Sequence, residues 1–188
     1  MSTAVSTPRG RILSEAVTIL KQHGAGGLTV RAVATASGCS TTGVYTYFGG
    51  KNGLVEAIYV DGFDRFRRSV RSDADLMASA LRYRKWAIAN PTHYLVMFAR
   101  SVPDFEPGIE AALVALGAFS DLVDSVQAAM TTGTISSGDH EHIAFHLWAG
   151  IHGYVMLELA NMSSSTGHSP ESLFRSGLQL LLAGVSSK

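Results

Sequence analysis

Cysteine is all but absent from this chain of 188 residues. Cys39 stands alone, which excludes an intramolecular disulfide and leaves one thiol, too few for a metal site. A reducing cytoplasm is the expected setting. Proline is also scarce, and the five present (Pro8, Pro91, Pro103, Pro107 and Pro170) fall where helices would start or loops would run. No apolar run approaches the ~18 residues of a membrane span; the longest lie at 111–119 and 178–185. The first ten residues lack an apolar core behind a basic region, so no secretory signal is expected. Catalytic signatures are missing too: no Gly-x-Gly-x-x-Gly, no Gly-x-x-x-x-Gly-Lys and no Gly-x-Ser-x-Gly. The Gly24-Ala-Gly-Gly27 cluster follows a helical pattern instead of a strand. No catalytic residue, no enzymatic activity and no cofactor are expected. His142 and His146 share a helix face at a spacing of four, but no third ligand joins them, so no metal is expected.

What remains is helical. No stretch alternates apolar and polar residues for long enough to make a strand, and 46% of the chain is hydrophobic, enough for a substantial core. Thr7-Pro8 opens a first helix with Ile12, Leu13, Ala16, Val17 and Leu20 on one face, ending at His23-Gly24. Thr29 caps a second, carrying Val30, Val33 and Ala34 inward and stopping at Gly38. Ser40 caps a third, which turns Val44 and Phe48 inward and ends at Gly49-Gly50. A fourth follows from Lys51 to about residue 71. The rest reads as helices over 73–90, from Pro91 through Phe98, 109–130, 139–161 and 169–185. Loops lie at 102–107, 131–138 and 163–168. The expected fold is therefore all-α with about nine helices. Its segments are a flexible tail (1–7), a helix-turn-helix head (8–50), a linking helix (51–71) and a larger helical body (72–188).

Charge separates these segments. The formal net charge is zero, yet residues 1–72 hold nine Lys/Arg against four Asp/Glu, a net of +5, and the remainder carries the compensating −5. A basic module beside an acidic one suits a polyphosphate partner. A helix-turn-helix lays its second helix in the major groove, with the residues near that helix's N-terminus meeting base edges. Here those residues are Ser40, Thr41, Thr42 and Gly43, short enough for close backbone approach and able to bond bases or phosphates. Arg31, early in the second helix, is the long bidentate donor for a guanine. Tyr45, Tyr47 and Lys51 are placed for phosphates. Each of these has an ordinary alternative, since Thr29 and Ser40 could only cap and Tyr45 could only pack; their joint order and spacing decide for DNA.

In these residues the chain resembles the TetR/AcrR family of bacterial regulators. The likeness runs from Arg9 to about Phe66. It is carried by the apolar pattern of the first helix, by Gly27-Leu-Thr-Val-Arg-Ala-Val-Ala34 and by Gly43-Val-Tyr-Thr-Tyr-Phe-Gly-Gly-Lys51. The resemblance implies an all-helical homodimer that binds a palindromic operator in double-stranded DNA and leaves it when a small-molecule effector enters the body. It also implies DNA-facing positions at Thr29, Arg31, Ser40, Thr41, Thr42, Gly43, Tyr45, Thr46, Tyr47 and Lys51. Two departures are Thr46, where the family often has a bulky aromatic or histidine, and Gly49-Gly50, which replaces a proline- or serine-containing turn.

The body is rich in aromatic residues. Trp86, Tyr94, Met97, Phe98, Phe105, Phe119, Phe145, Trp148 and His152 are the expected pocket lining, because a small-molecule site needs a mostly apolar wall with a few polar groups. Trp148-Ala-Gly-Ile-His-Gly153, with the Trp86 to Tyr94 run, is similar to a subset of TetR-like regulators with a Trp-x-x-x-His-Gly signature. Gly150, Gly153, Met156, Phe174, Leu178 and Leu181 are the expected dimer face, small and apolar residues that suit a four-helix bundle across a twofold axis. The competing reading is a helical small-molecule-binding protein or enzyme whose helix-turn-helix does not touch DNA.

Overall fold

A computed structural model describes residues 7–70, 75–162 and 167–185. Among them are nine helices and no strand. They are α1 (Pro8–Gly27), α2 (Val30–Ser37), α3 (Thr41–Phe48), α4 (Lys51–Val70), α5 (Leu76–Ala89), α6 (Pro91–Phe98), α7 (Ile109–Thr131), α8 (His140–Leu159) and α9 (Pro170–Ala183). The expected tail lies outside the described residues except for Thr7, as do most of the loop expected at 163–168 and the first residues of the helix expected at 73.

Helix starts follow side-chain capping, in which an oxygen accepts from a backbone N–H that has no partner within the helix. Thr7 Oγ1 accepts from Gly10 N at 3.1 Å, Thr29 Oγ1 from Ala32 N at 3.1 Å and Ser40 Oγ from Gly43 N at 3.0 Å. Asp139 accepts from both Glu141 and His142, and Ser169 from Ser172. The bond from His142 N is the main reason the Asp139 carboxyl sits below its ordinary pKa. Asp75 caps α5 through Ala78 N at 2.9 Å, just before Leu76. α1 is interrupted at Gly24 (φ 63°, ψ −169°) before a last short turn to Gly27.

Two compact units emerge. The first comprises the chain up to Asp64 together with Thr92–Ala115, the second Arg65–Pro91 together with the chain from Leu116 on. They cut across the segments expected from the sequence, because α6 packs on the front part of α4. A Cβ on Gly62 would sit 2.7 Å from Met97 Sδ and 3.5 Å from His93 Cβ, so the two backbones approach closely at that point.

The core of the first unit is built from Ile12, Ala16, Leu28, Val33, Val44, Leu54, Val55 and Ile58, all essentially inaccessible. In the second unit Leu76, Val126, Ala129, Ile135, Ala144 and Leu147 form one buried cluster, with Phe119, Leu122 and Val123 packed against it. Arg84 on α5 binds Glu158 on α8 through two hydrogen bonds of 2.8 and 2.7 Å, and its guanidinium also lies over the Phe174 ring on α9. Arg67 and Asp121 make a second two-bond pair, from α4 to α7, at 2.7 and 2.9 Å.

Candidate nucleic-acid interface

The turn between α2 and α3 is fixed by backbone chemistry. Gly38 adopts φ +65°, a left-handed conformation that costs glycine little, and Cys39 N returns a hydrogen bond of 3.0 Å to Ala34 O. Ser37 Oγ donates to Val33 O at 2.7 Å and lies 3.1 Å from Cys39 Sγ, so the half-buried thiol belongs to the turn's own packing. Val33 and Ala34 from α2 and Val44 and Phe48 from α3 are buried. Burying that side of α3 leaves the opposite side for a partner.

That opposite side carries the expected residues. Thr41, Thr42, Tyr45, Thr46 and Tyr47 are exposed, the two tyrosines at 57% and 45%. The Tyr45 ring lies beside Gly50 and the Tyr47 ring beside Phe48, yet each keeps about half its surface open. Thr46 Oγ1 donates to Thr42 O at 2.9 Å, which settles the hydroxyl proton within the helix. Gly43 is half-buried, and a Cβ there would meet Ser40 Oγ at 3.5 Å, an ordinary contact; packing alone does not demand glycine at this position. Thr29 and Ser40 both cap, as their ordinary reading has it, and are exposed as well.

Arg31 is exposed in the first turn of α2. Lys51, half-buried at the start of α4, donates from Nζ to Ala25 O at 2.9 Å and so ties α4 to the link between α1 and α2. An ammonium has three donors, and this bond uses one. The α3–α4 connection is tight: a Cβ on Gly53 would run into the carbonyl oxygen of Phe48. Residues 8–50 contain four Lys/Arg and one acid, Glu15, a net of +3, which locates more than half of the N-terminal positive charge in the head itself.

The residues expected to line a pocket are divided between the two units. In the first unit, rings run from Phe105 through Tyr59, Phe63 and Phe98 to Tyr94, with centroids 4.9 to 5.9 Å apart. Tyr94 and Met97 are fully packed there. Burial raises the Tyr59 hydroxyl pKa above its ordinary value. In the second unit Trp86 is buried against Phe66, which also meets Tyr83 edge-on. Phe119, Phe145, Trp148 and His152 form a further group in that unit, with Trp148 at its centre and the other three rings 5.9 to 6.0 Å away. These four are half-buried or exposed, and burial lowers the pKa of His152, favouring the neutral imidazole.

The residues expected at a dimer face divide as well. Phe174 and Leu178 are 1% exposed and Gly150 lies directly under Leu181 Cδ1, so these four close α9 onto α8 within one chain. Gly153 faces open space and Met156 is half-buried. Beside them Leu157 and Leu180 stand out at 50% and 75% exposed.

Several groups escaped the sequence reading. His93, buried on α6, places Nε2 3.2 Å from Asp61 Oδ2 on α4, outside hydrogen-bond geometry. Arg9 is one of the nine basic residues of the N-terminal third, and its guanidinium lies over the Phe48 ring, 4.9 Å from the centroid, a contact that no local sequence pattern marks.

Comparison with known proteins agrees with this architecture. Residues 12–58 match the family model for bacterial regulatory proteins of the tetR family, and residues 76–181 match a tetracycline-repressor-like C-terminal domain. An HTH-type transcriptional regulator of Mycobacterium tuberculosis is 29% identical over 176 residues, spanning 74% of this chain and 75% of the relative. Among solved structures, a protein of unknown function from Rhodococcus sp. RHA1 superposes with a TM-score of 0.83 at 22% identity, covering 96% of each chain. A TetR transcriptional regulator of Streptomyces coelicolor gives 0.70 at 23% identity over 94% of this chain and 96% of the other. With one family model on the head and another over more than half of the chain, this protein belongs to the TetR family of bacterial transcriptional regulators.

Proposed function

We propose that this regulator is a ligand-responsive repressor that binds a palindromic operator as a homodimer and is released from it by a small molecule. One observation carries the DNA-reading part. α3 buries Val44 and Phe48 while leaving Thr41, Thr42, Tyr45, Thr46 and Tyr47 exposed on a head of net charge +3. In this reading Ser40, Thr41, Thr42, Gly43, Thr46 and Arg31 meet base edges, while Thr29, Tyr45, Tyr47 and Lys51 meet the backbone. Residues 8–50 serve as the DNA-binding segment, 51–71 as the linking helix and 72–188 as the ligand and dimer segment. The protein works in the cytoplasm without catalysis or a cofactor.

For the effector, the half-open wall of Phe119, Phe145, Trp148 and His152 is the group of the expected lining that includes an exposed ring, that of Phe145. For the dimer, the outward stripe Gly153, Met156 and Leu157 on α8, with Leu180 on α9, is available to a second copy, while Phe174 and Leu178 support it from beneath. Two heads about one helical turn apart, roughly 34–36 Å, would read both halves of an operator. Ligand would act by shifting the population toward an arrangement that no longer fits successive major grooves.

The test is selection of bound duplexes from a random pool, followed by a compound screen for release. A steep negative dependence of affinity on salt, a recovered palindrome and release by at least one compound are the expected results. Absence of salt-dependent retention of any duplex would overturn the DNA-binding reading in favour of a helical small-molecule-binding protein.

A further inference from the structure

We propose that Arg9 is a phosphate-binding residue of the DNA interface, held in place by the ring of Phe48. This rests on the DNA-binding reading above. The argument begins with what surrounds the guanidinium. Arg9 is exposed in the first turn of α1, and its Cζ lies 4.9 Å from the Phe48 centroid, within cation–π range. Phe48 is the last residue of α3, and its ring centroid is 6.5 Å from that of Tyr47, an exposed residue of the reading helix. A charge at the start of α1 is thereby brought to the C-terminal end of α3.

The second strand of the argument is compensation. Among the described residues no carboxylate pairs with Arg9. By contrast, Arg67, Arg84 and Arg175 each hold a carboxylate at 2.7 to 2.8 Å. An arginine ordered by a ring instead of an anion keeps its full hydrogen-bonding fork for a phosphate. It also loses less side-chain freedom on binding than a solvated lysine would. The ring itself contributes no competing acceptor.

The experiment measures affinity for a selected duplex across a salt series. Arg9→Gln keeps a polar, hydrogen-bonding side chain and removes the charge; Arg9→Lys keeps the charge. The glutamine variant should reduce the slope of log affinity against log salt by ~0.9 for each protomer bound, and the lysine variant should retain the wild-type slope. Thermal midpoints are followed in parallel. A wild-type slope in Arg9→Gln, whether or not its midpoint falls, would overturn the proposal and leave Arg9 a cover for the Phe48 ring. In the unaltered protein, bound duplex should protect Arg9 from phenylglyoxal, and equal modification with and without duplex would also overturn it. If the wild type retains no duplex at any salt, the DNA-binding reading itself falls; if it binds steeply while Arg9→Gln keeps the slope, only the Arg9 assignment falls.

Discussion

Three arginines of the head and three from the remainder of the chain stand in opposite electrostatic situations. Arg67, Arg84 and Arg175 each give two hydrogen bonds to a carboxylate, whereas Arg9, Arg11 and Arg31 have no acidic partner among the described residues. The same side chain thus serves as an internal fastener in one region and as an uncompensated surface charge in the other. Uncompensated charge raises self-repulsion and does little for folding, so its concentration in one small module points outward, to an anion.

The contrast can be broken most severely at Arg84. Its pair with Glu158 is largely buried, at 17% and 14% side-chain exposure. Arg84→Ala leaves that carboxylate without its bidentate partner and should cost about 3 kcal/mol, read from urea denaturation; a change below about 0.5 kcal/mol would mean the pair is solvated. Next in size is Arg31→Ala. It should leave stability unchanged and relax preference at particular base pairs by ~1–3 kcal/mol, seen by comparing selected with mutated duplexes. Lys51→Ala tests both behaviours in one residue, because Nζ already binds Ala25 O. It should weaken all duplexes similarly and destabilise the head by about 1 kcal/mol. Arg67→Ala should cost only about 0.5 kcal/mol despite its short bonds, since both partners of that pair are more than a third exposed.

The smallest expected effect is pH-dependent. Burial depresses the His152 pKa, so the unfolded chain binds more protons just below its ordinary value near 6.5. Stability is therefore complete above about pH 6.5 and declines as pH falls from there toward the depressed folded value. His152→Asn should flatten that decline, and an unchanged pH profile of the thermal midpoint would show that the ring is solvated.

Much of this was legible in the sequence, and the division follows distance along the chain. Thr7, Thr29, Ser40, Asp139 and Ser169 cap helices as their local context predicts, and Gly38 closes α2, because each device acts within four residues of itself. The exposed face of α3 follows from Val44 and Phe48 by the same short-range periodicity. The pairs Arg84–Glu158, Arg67–Asp121 and Asp61–His93 join residues far apart in the chain, and nothing local marks one charge as the partner of another. Phe174 and Leu178 show a related limit. Apolar spacing says that a helix face is covered, but not whether the cover comes from α8 of the same chain or from a second copy. The nine expected pocket residues carry the same ambiguity: an aromatic that fills a core and one that lines a cavity share one periodicity.

The packing of α6 on α4 at Gly62 bears on how this protein can be dissected. A fragment ending at residue 64 would look like a natural DNA-binding module on a sequence map. It would omit Met97, His93 and Phe98, which cover Gly62, Asp61 and Phe63. Such a fragment would bare an apolar strip of α4, inviting self-association in place of specific binding. A chimera that exchanges operator preference between two such regulators therefore does better to change the outward residues of α2 and α3 than to splice whole segments at the helix boundary.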